Sequence, residues 1–143
     1  MIKNTIISYM DKFVLFLDRT FPGHRHDHAM SEKEFPPEIT WFGGLEVLAD
    51  SGYQGIRSDY DGDNMPIPNK KPGKSKADPD PGLTETRKES NRASGRVRVF
   101  VGNAIGGIRR YNILNHAFRN KKTNFDDDAI VVCAGLWNMT ISA

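Results

Sequence analysis

Several residue groups in this 143-residue chain have types and spacings that could do chemistry. His24-Arg-His-Asp-His28 sets three imidazoles at alternate positions with a carboxylate beside them. In an extended chain they share one face, and such a donor set suits a transition metal. The competing reading is a polar turn whose Asp27 starts a helix. Asp50 ends Gly43-Gly-Leu-Glu-Val-Leu-Ala-Asp50, a short apolar run that reads as a buried strand. A strand-end acid can hold a cation, or it can simply cap the turn Ser51-Gly-Tyr-Gln-Gly55. Asp59-Tyr-Asp-Gly-Asp-Asn64 is acidic, but a calcium loop needs Gly at position six and Glu at position twelve. Here Gly62 falls at position four and Lys70 at twelve, so a solvated acidic turn is expected. Gly102, Gly106 and Gly107 lack the Lys-Ser/Thr of a phosphate loop and the spacing of a dinucleotide fingerprint, and predict close helix packing instead. Cys133 sits in Ile130-Val-Val-Cys-Ala134 and reads as a buried small hydrophobe rather than a nucleophile.

The cations are distributed unevenly. The net charge is +2, yet residues 1–68 carry 6 basic and 11 acidic side chains, and residues 69–143 carry 14 and 7. Between Arg87 and Lys122 ten Lys/Arg face one acid, Glu89. Eight of the ten, Arg92, Arg96, Arg98, Arg109, Arg110, Arg119, Lys121 and Lys122, are the candidate contacts. A solvated face explains such a run as well as a polyanion partner does; if a partner binds, nucleic acid is the first candidate.

The elements that must position these residues follow from patterning. Asn4–Ser8 and Phe13–Leu17 read as a β-hairpin turning through Tyr9–Lys12, with Phe21-Pro-Gly23 closing the second strand. Asp27–Glu34 reads as a short helix stopped by Phe35-Pro-Pro37. Residues 69–82 have no apolar periodicity and read as a mobile surface loop. A helix opens at Leu83-Thr-Glu85 with Thr84 as cap. Arg96–Val101 alternates like a strand, while Val97, Val101, Ile105 and Ile108 make one helical face. Each glycine of this stretch weakens a helix by about 1 kcal/mol. Asp126-Asp-Asp128 is the expected cap of a final helix to Met139. Trp41, Trp137, Phe118 and Phe125 are expected to pack in the core.

Several phrases also line up in order: Leu15-Phe-Leu17, Phe21-Pro-Gly-His-Arg-His-Asp27, Leu48-Ala-Asp-Ser-Gly-Tyr-Gln-Gly55, Pro66-Ile-Pro-Asn-Lys-Lys-Pro72 and Leu83-Thr-Glu85. They continue with Asn91-Arg-Ala-Ser-Gly-Arg-Val-Arg-Val99, Asn103-Ala-Ile-Gly-Gly-Ile-Arg-Arg-Tyr111, Arg119-Asn120, Phe125-Asp-Asp127 and Gly135-Leu-Trp-Asn138. Over nearly its whole length the chain resembles the C-terminal part of DDE transposases of bacterial insertion sequences, the Harbinger-related branch of the DDE superfamily endonucleases. The resemblance implies an α/β, RNase H-like fold, a mixed β-sheet flanked by helices. It implies cleavage and joining of DNA with divalent Mg²⁺ or Mn²⁺, since two hard cations held by carboxylates activate the attacking oxygen and stabilise the leaving one.

The family uses three acids, and the resemblance assigns the second to Asp50. The first normally precedes the segment that starts here, so residues 1–143 are expected to be an N-terminally truncated catalytic domain. The third falls eleven residues on from Asn91, at Gly102, which has no carboxylate. His26 and Asp27 match a His-Asp pair of the family, which gives Asp27 a near-site or metal-binding role. The resemblance also favours DNA, transposon end or target, as the partner of the basic block. The expectation is a catalytically incomplete copy; the alternative is a non-catalytic fragment that binds DNA or a full-length transposase. A nine-residue apolar run, Ala129–Trp137, is too short for a bilayer, which takes about 20 residues. A single cysteine excludes an internal disulfide framework. A reducing bacterial cytoplasm, at the nucleoid if DNA is bound, is the expected compartment.

Overall fold

The computed structural model describes residues 2–60, 65–114 and 122–143. In chain order the described elements are strands β1 (Ile2–Lys3), β2 (Ile6–Ser8), β3 (Val14–Leu17) and β4 (Phe21–Pro22), then helices α1 (Asp27–Glu34), α2 (Ile56–Asp59), α3 (Glu85–Arg109) and α4 (Phe125–Ser142). Single 3₁₀ turns occupy Ser51–Tyr53 and Asn112–Leu114. The chain is thus mixed α/β, with small antiparallel ladders and four α-helices among the described residues. It divides into one unit of residues 1–25 and 99–143 and a second of His26–Arg98.

In the first unit the expected hairpin forms. β2 pairs with β3 from Ile6↔Leu17 to Ser8↔Val14 with a bulge after Ile7, and β1 pairs with β4. Phe21-Pro22 therefore does more than end a strand. Asp11 accepts the Phe13 N–H at 3.0 Å, and Lys12 takes the left-handed conformation at φ 74° that closes the turn. Asp18 is buried, and its carboxylate accepts the Thr5 N–H at 2.5 Å, so the acid is held by backbone.

Helix α4 pins this hairpin. Asn138 accepts the Val14 N–H and donates to the Val14 carbonyl, both at 2.9 Å, and satisfies a strand residue as a neighbouring strand would. Trp137 donates its indole N–H to the Lys12 carbonyl at 3.0 Å. Val14, Ala104, Ile108, Cys133, Ala134 and Trp137 make the core of the unit. Cys133 is buried as expected, and desolvation pushes its thiol pKa up, which disfavours the thiolate. The final helix begins differently from the expectation. Its N-cap is Asn124 at φ 62°, with no side-chain cap, and Asp126, Asp127 and Asp128 occupy the first helical turn. They still favour the helix dipole there. Asp127 also accepts the Thr20 N–H at 2.6 Å.

The second unit holds an aromatic cluster. Phe35 meets Trp41 edge-on at 5.4 Å, and Phe42 lies 5.6 Å from Phe35 and 5.3 Å from Tyr60. Trp41 keeps 41% of its surface exposed, so it sits on the rim rather than in the core. Tyr60 is buried and donates its hydroxyl to the Phe35 carbonyl at 2.6 Å. Burial first, then the charges of Glu32, Asp59 and Glu38, push its pKa up to about 12. The folded state thus prefers the protonated phenol. Its contribution is intact below the unfolded-state pKa of about 10 and is lost as pH rises through about 12. Tyr60→Phe is expected to cost about 1–2 kcal/mol by urea unfolding at pH 7. It should also flatten the stability loss between pH 10 and 12; an unchanged alkaline limb would place that loss on another group.

Helix α3 resolves the ambiguity of Arg96–Val101 in favour of the helix. Ala104 and Ile108, one turn apart, are 0% and 2% exposed. Packing of that face outweighs the propensity cost of four glycines. Thr84 caps it weakly, accepting the Arg87 N–H at 3.4 Å. Asn91 clamps the incoming chain, accepting the Asn69 N–H at 2.8 Å and donating to the Asn69 carbonyl at 3.0 Å. Beyond that clamp residues 71–80 are exposed and irregular, as the composition predicts.

Candidate functional site

The expected buried strand before Asp50 does not form. Leu45 is 57% exposed, its N–H turns back to the Phe42 carbonyl at 3.0 Å, and Gly44 takes φ +72°. The run is reduced to a lone β-bridge residue, Glu46, and, among the described residues, a long backbone bond from the Ala49 N–H to the Pro66 carbonyl at 3.4 Å. Asp50 is therefore an N-cap, not a strand end. Its side chain accepts the Ser51 N–H at 2.5 Å and opens the 3₁₀ turn Ser51–Tyr53.

The same oxygen, Asp50 Oδ1, accepts from Arg98 Nη2 of α3 at 2.7 Å. Both side chains are partly exposed, 55% and 37%, so the pair adds little stability. Its chemical consequence is larger: the carboxylate already carries two donors on one oxygen. The 3₁₀ turn also packs on α1. A side chain at Gly52 would overlap the Asp27 carboxylate, so Gly52 is the space in which Asp27 sits. The structure thus brings Asp27 to the turn that Asp50 caps.

The arginines divide by environment. Arg92 and Arg96 are one helical turn apart and exposed, Arg98 is half-buried on Asp50, and Arg109 and Arg110 are exposed at the end of α3. Arg110 also lies over the Trp137 ring at 5.5 Å. Lys122 is exposed, while Arg119, Lys121 and Phe118 lie outside the described residues. The Cβ position at Gly102 meets nothing within 4 Å among the described residues, and glycine offers no ligand atom there.

The alternate imidazoles do not share an extended face, because α1 starts at Asp27 and makes residues 27–34 helical. Helical spacing instead puts His28 and Glu32 one turn apart. With Asp59 of α2 they offer one imidazole nitrogen and two carboxylate oxygens, all within 4.8 Å of one another. Sequence reasoning missed Glu32 and Asp59 here. The i, i+4 step from His28 to Glu32 inside an expected helix was the available signal.

The DDE superfamily endonuclease family matches the chain over residues 1–138, and the chain belongs to that family. A relative described as "Probable transposase for insertion sequence element IS702", from Microchaete diplosiphon, is 33% identical over 98 residues. The match takes in 68% of this chain and 32% of the relative, so the chain aligns with about a third of that protein's length. No solved structure matches the chain. Among the described residues no helix is long and apolar enough to cross a membrane.

Proposed function

We propose that the chain is a transposase catalytic-domain segment of RNase H-like ancestry that binds DNA through the arginines of α3 and does not cleave it unaided. In this reading Asp50 is the family's second metal-binding acid, Asp27 a neighbouring one, and Arg92, Arg96, Arg109, Arg110, Arg119, Lys121 and Lys122 contact phosphates. The bound Mg²⁺ or Mn²⁺ ions of the family would polarise the phosphodiester and the attacking oxygen. Two such ions need several carboxylates converging on them. Gly102 supplies none, and Arg98 and Ser51 already occupy Asp50 Oδ1. This donor set does not fit a two-metal centre, so no cleavage step is assigned to it.

The ion pair between Asp50 and Arg98 carries the proposal. It supports a non-catalytic role, binding of DNA or of a full-length transposase, in which the arginine keeps the acid neutralised. The test uses the purified chain on supercoiled DNA with Mg²⁺ and then Mn²⁺. Retarded mobility without nicking is the expected result. Metal-dependent nicking that Asp50→Asn abolishes would overturn catalytic incompleteness, and absence of binding at low ionic strength would remove the DNA reading.

A further inference from the structure

One cluster of potential ligands is untouched by this reading. His28 sits in the first half of α1, and Glu32 lies one turn on, exposed at the surface. Asp59 closes the single turn α2. Gly55 enters α2 at φ +102°, and a Cβ there would stand 3.4 Å from His28 Cε1. This glycine turn therefore lays α2 against the imidazole and sets Asp59 beside it.

The contact between His28 and Asp59 is unusual. Nε2 and Asp59 Oδ2 are 2.7 Å apart, and the two side chains are 23% and 29% exposed. Nε2 itself is buried, yet among the described residues it makes no aligned hydrogen bond, even to Asp59. An ordinary histidine–aspartate pair shares a proton in line between the two atoms. A close nitrogen and oxygen without that alignment are what two neighbouring ligands of one cation present. Ligands about 2.1 Å from a common ion stand about 3 Å apart or slightly more, so a small widening would admit one.

We propose that His28, Glu32 and Asp59 form a site for one divalent transition-metal ion of the zinc type, which ties α1 to α2. A neutral imidazole and two carboxylates carry two negative charges, which one divalent ion balances. The nitrogen donor selects zinc-like ions over Mg²⁺, which takes oxygen ligands and keeps its waters. Neither Asp50 nor any arginine takes part, so the site stands or falls apart from the DNA reading. Its role is a clip: the ion would bind the folded unit and stabilise it by mass action.

The test is calorimetric titration of the full 143-residue chain with zinc chloride, followed by thermal unfolding. One zinc per chain is expected, with a rise in the midpoint of roughly 5–10 °C when zinc is about 100-fold above its Kd. His28→Gln, Asp59→Asn and Glu32→Gln should each weaken binding more than tenfold. Matched far-UV circular dichroism of the zinc-free variants keeps loss of folding from imitating loss of a ligand. His24→Gln combined with His26→Gln should leave zinc binding unchanged. No zinc uptake, uptake indifferent to His28→Gln, loss of uptake in the His24/His26 double variant, or equal affinity for Mg²⁺ would each overturn the assignment.

Discussion

Gly107→Val destabilises the chain by about 2–3 kcal/mol or more, while Gly106→Ala, one residue away, stabilises it by about 0.5–1 kcal/mol. Both positions lie in α3, and replacing glycine there gains helix propensity in each case. What differs is the neighbour. A Cβ at Gly106 meets nothing within 4 Å among the described residues, whereas a Cβ at Gly107 would overlap three atoms of the Trp137 ring. That ring cannot swing aside cheaply. It is buried, its N–H is tied to the Lys12 carbonyl, and its neighbour Asn138 is bonded twice to Val14. Moving the indole therefore disturbs α4 and the hairpin together. Urea unfolding of the two variants against the parent chain checks this. Equal shifts in both would mean that Trp137 does not pack on Gly107.

The same glycine shows why parts of the fold were legible in the sequence and others were not. Glycine propensity argues against a helix through residues 95–107, and the alternation of Arg96–Val101 suggests a strand. Of the expected face only Ile108 is buried, with Val97, Val101 and Ile105 half-buried; the helix is held by Ile108 and Ala104, and by Gly107, which makes room for an indole supplied from thirty residues on. The four-and-three spacing of the apolar residues was visible, but the indole's position is tertiary information. Helix α1 was legible to both ends, since Pro36 and Pro37 stop it on the C-terminal side. The hairpin was legible from its two apolar runs. The strand expected at Gly43–Asp50 shrinks to a single bridge at Glu46, because an apolar run becomes a strand only where a partner stays alongside for several residues. Here Gly44 turns the chain and Leu45 stays exposed.

Legibility of the site follows the same division. Asp50 could be singled out from its phrase, but its capture by Arg98 joins positions 48 residues apart and depends on α3 passing the turn. Asp27 could be named as a helix-starting acid; its packing over Gly52 could not be foreseen. The His28–Glu32 step was readable once α1 was accepted as a helix, whereas Asp59 required the left-handed turn at Gly55.

A charge-reversed chain, Arg92→Glu with Arg96→Glu, is expected to bind double-stranded DNA about 100-fold more weakly at low salt. The two guanidinium groups are exposed and one helical turn apart, so both can meet phosphates of one backbone. Each phosphate neutralised contributes about 0.9 to the slope of log affinity against log salt, and losing two lowers that slope by about 1.8. Arg98→Ala is the informative contrast. Its guanidinium already faces Asp50 at 2.7 Å, so its removal should change the slope little and cost at most about 1 kcal/mol of stability. Fluorescence anisotropy with a labelled duplex across a salt series measures all three chains. A slope unchanged by the double reversal would move the DNA contact away from this face of α3. A slope changed most by Arg98→Ala would mean that DNA phosphate displaces Asp50 from its arginine and frees the carboxylate only in the complex.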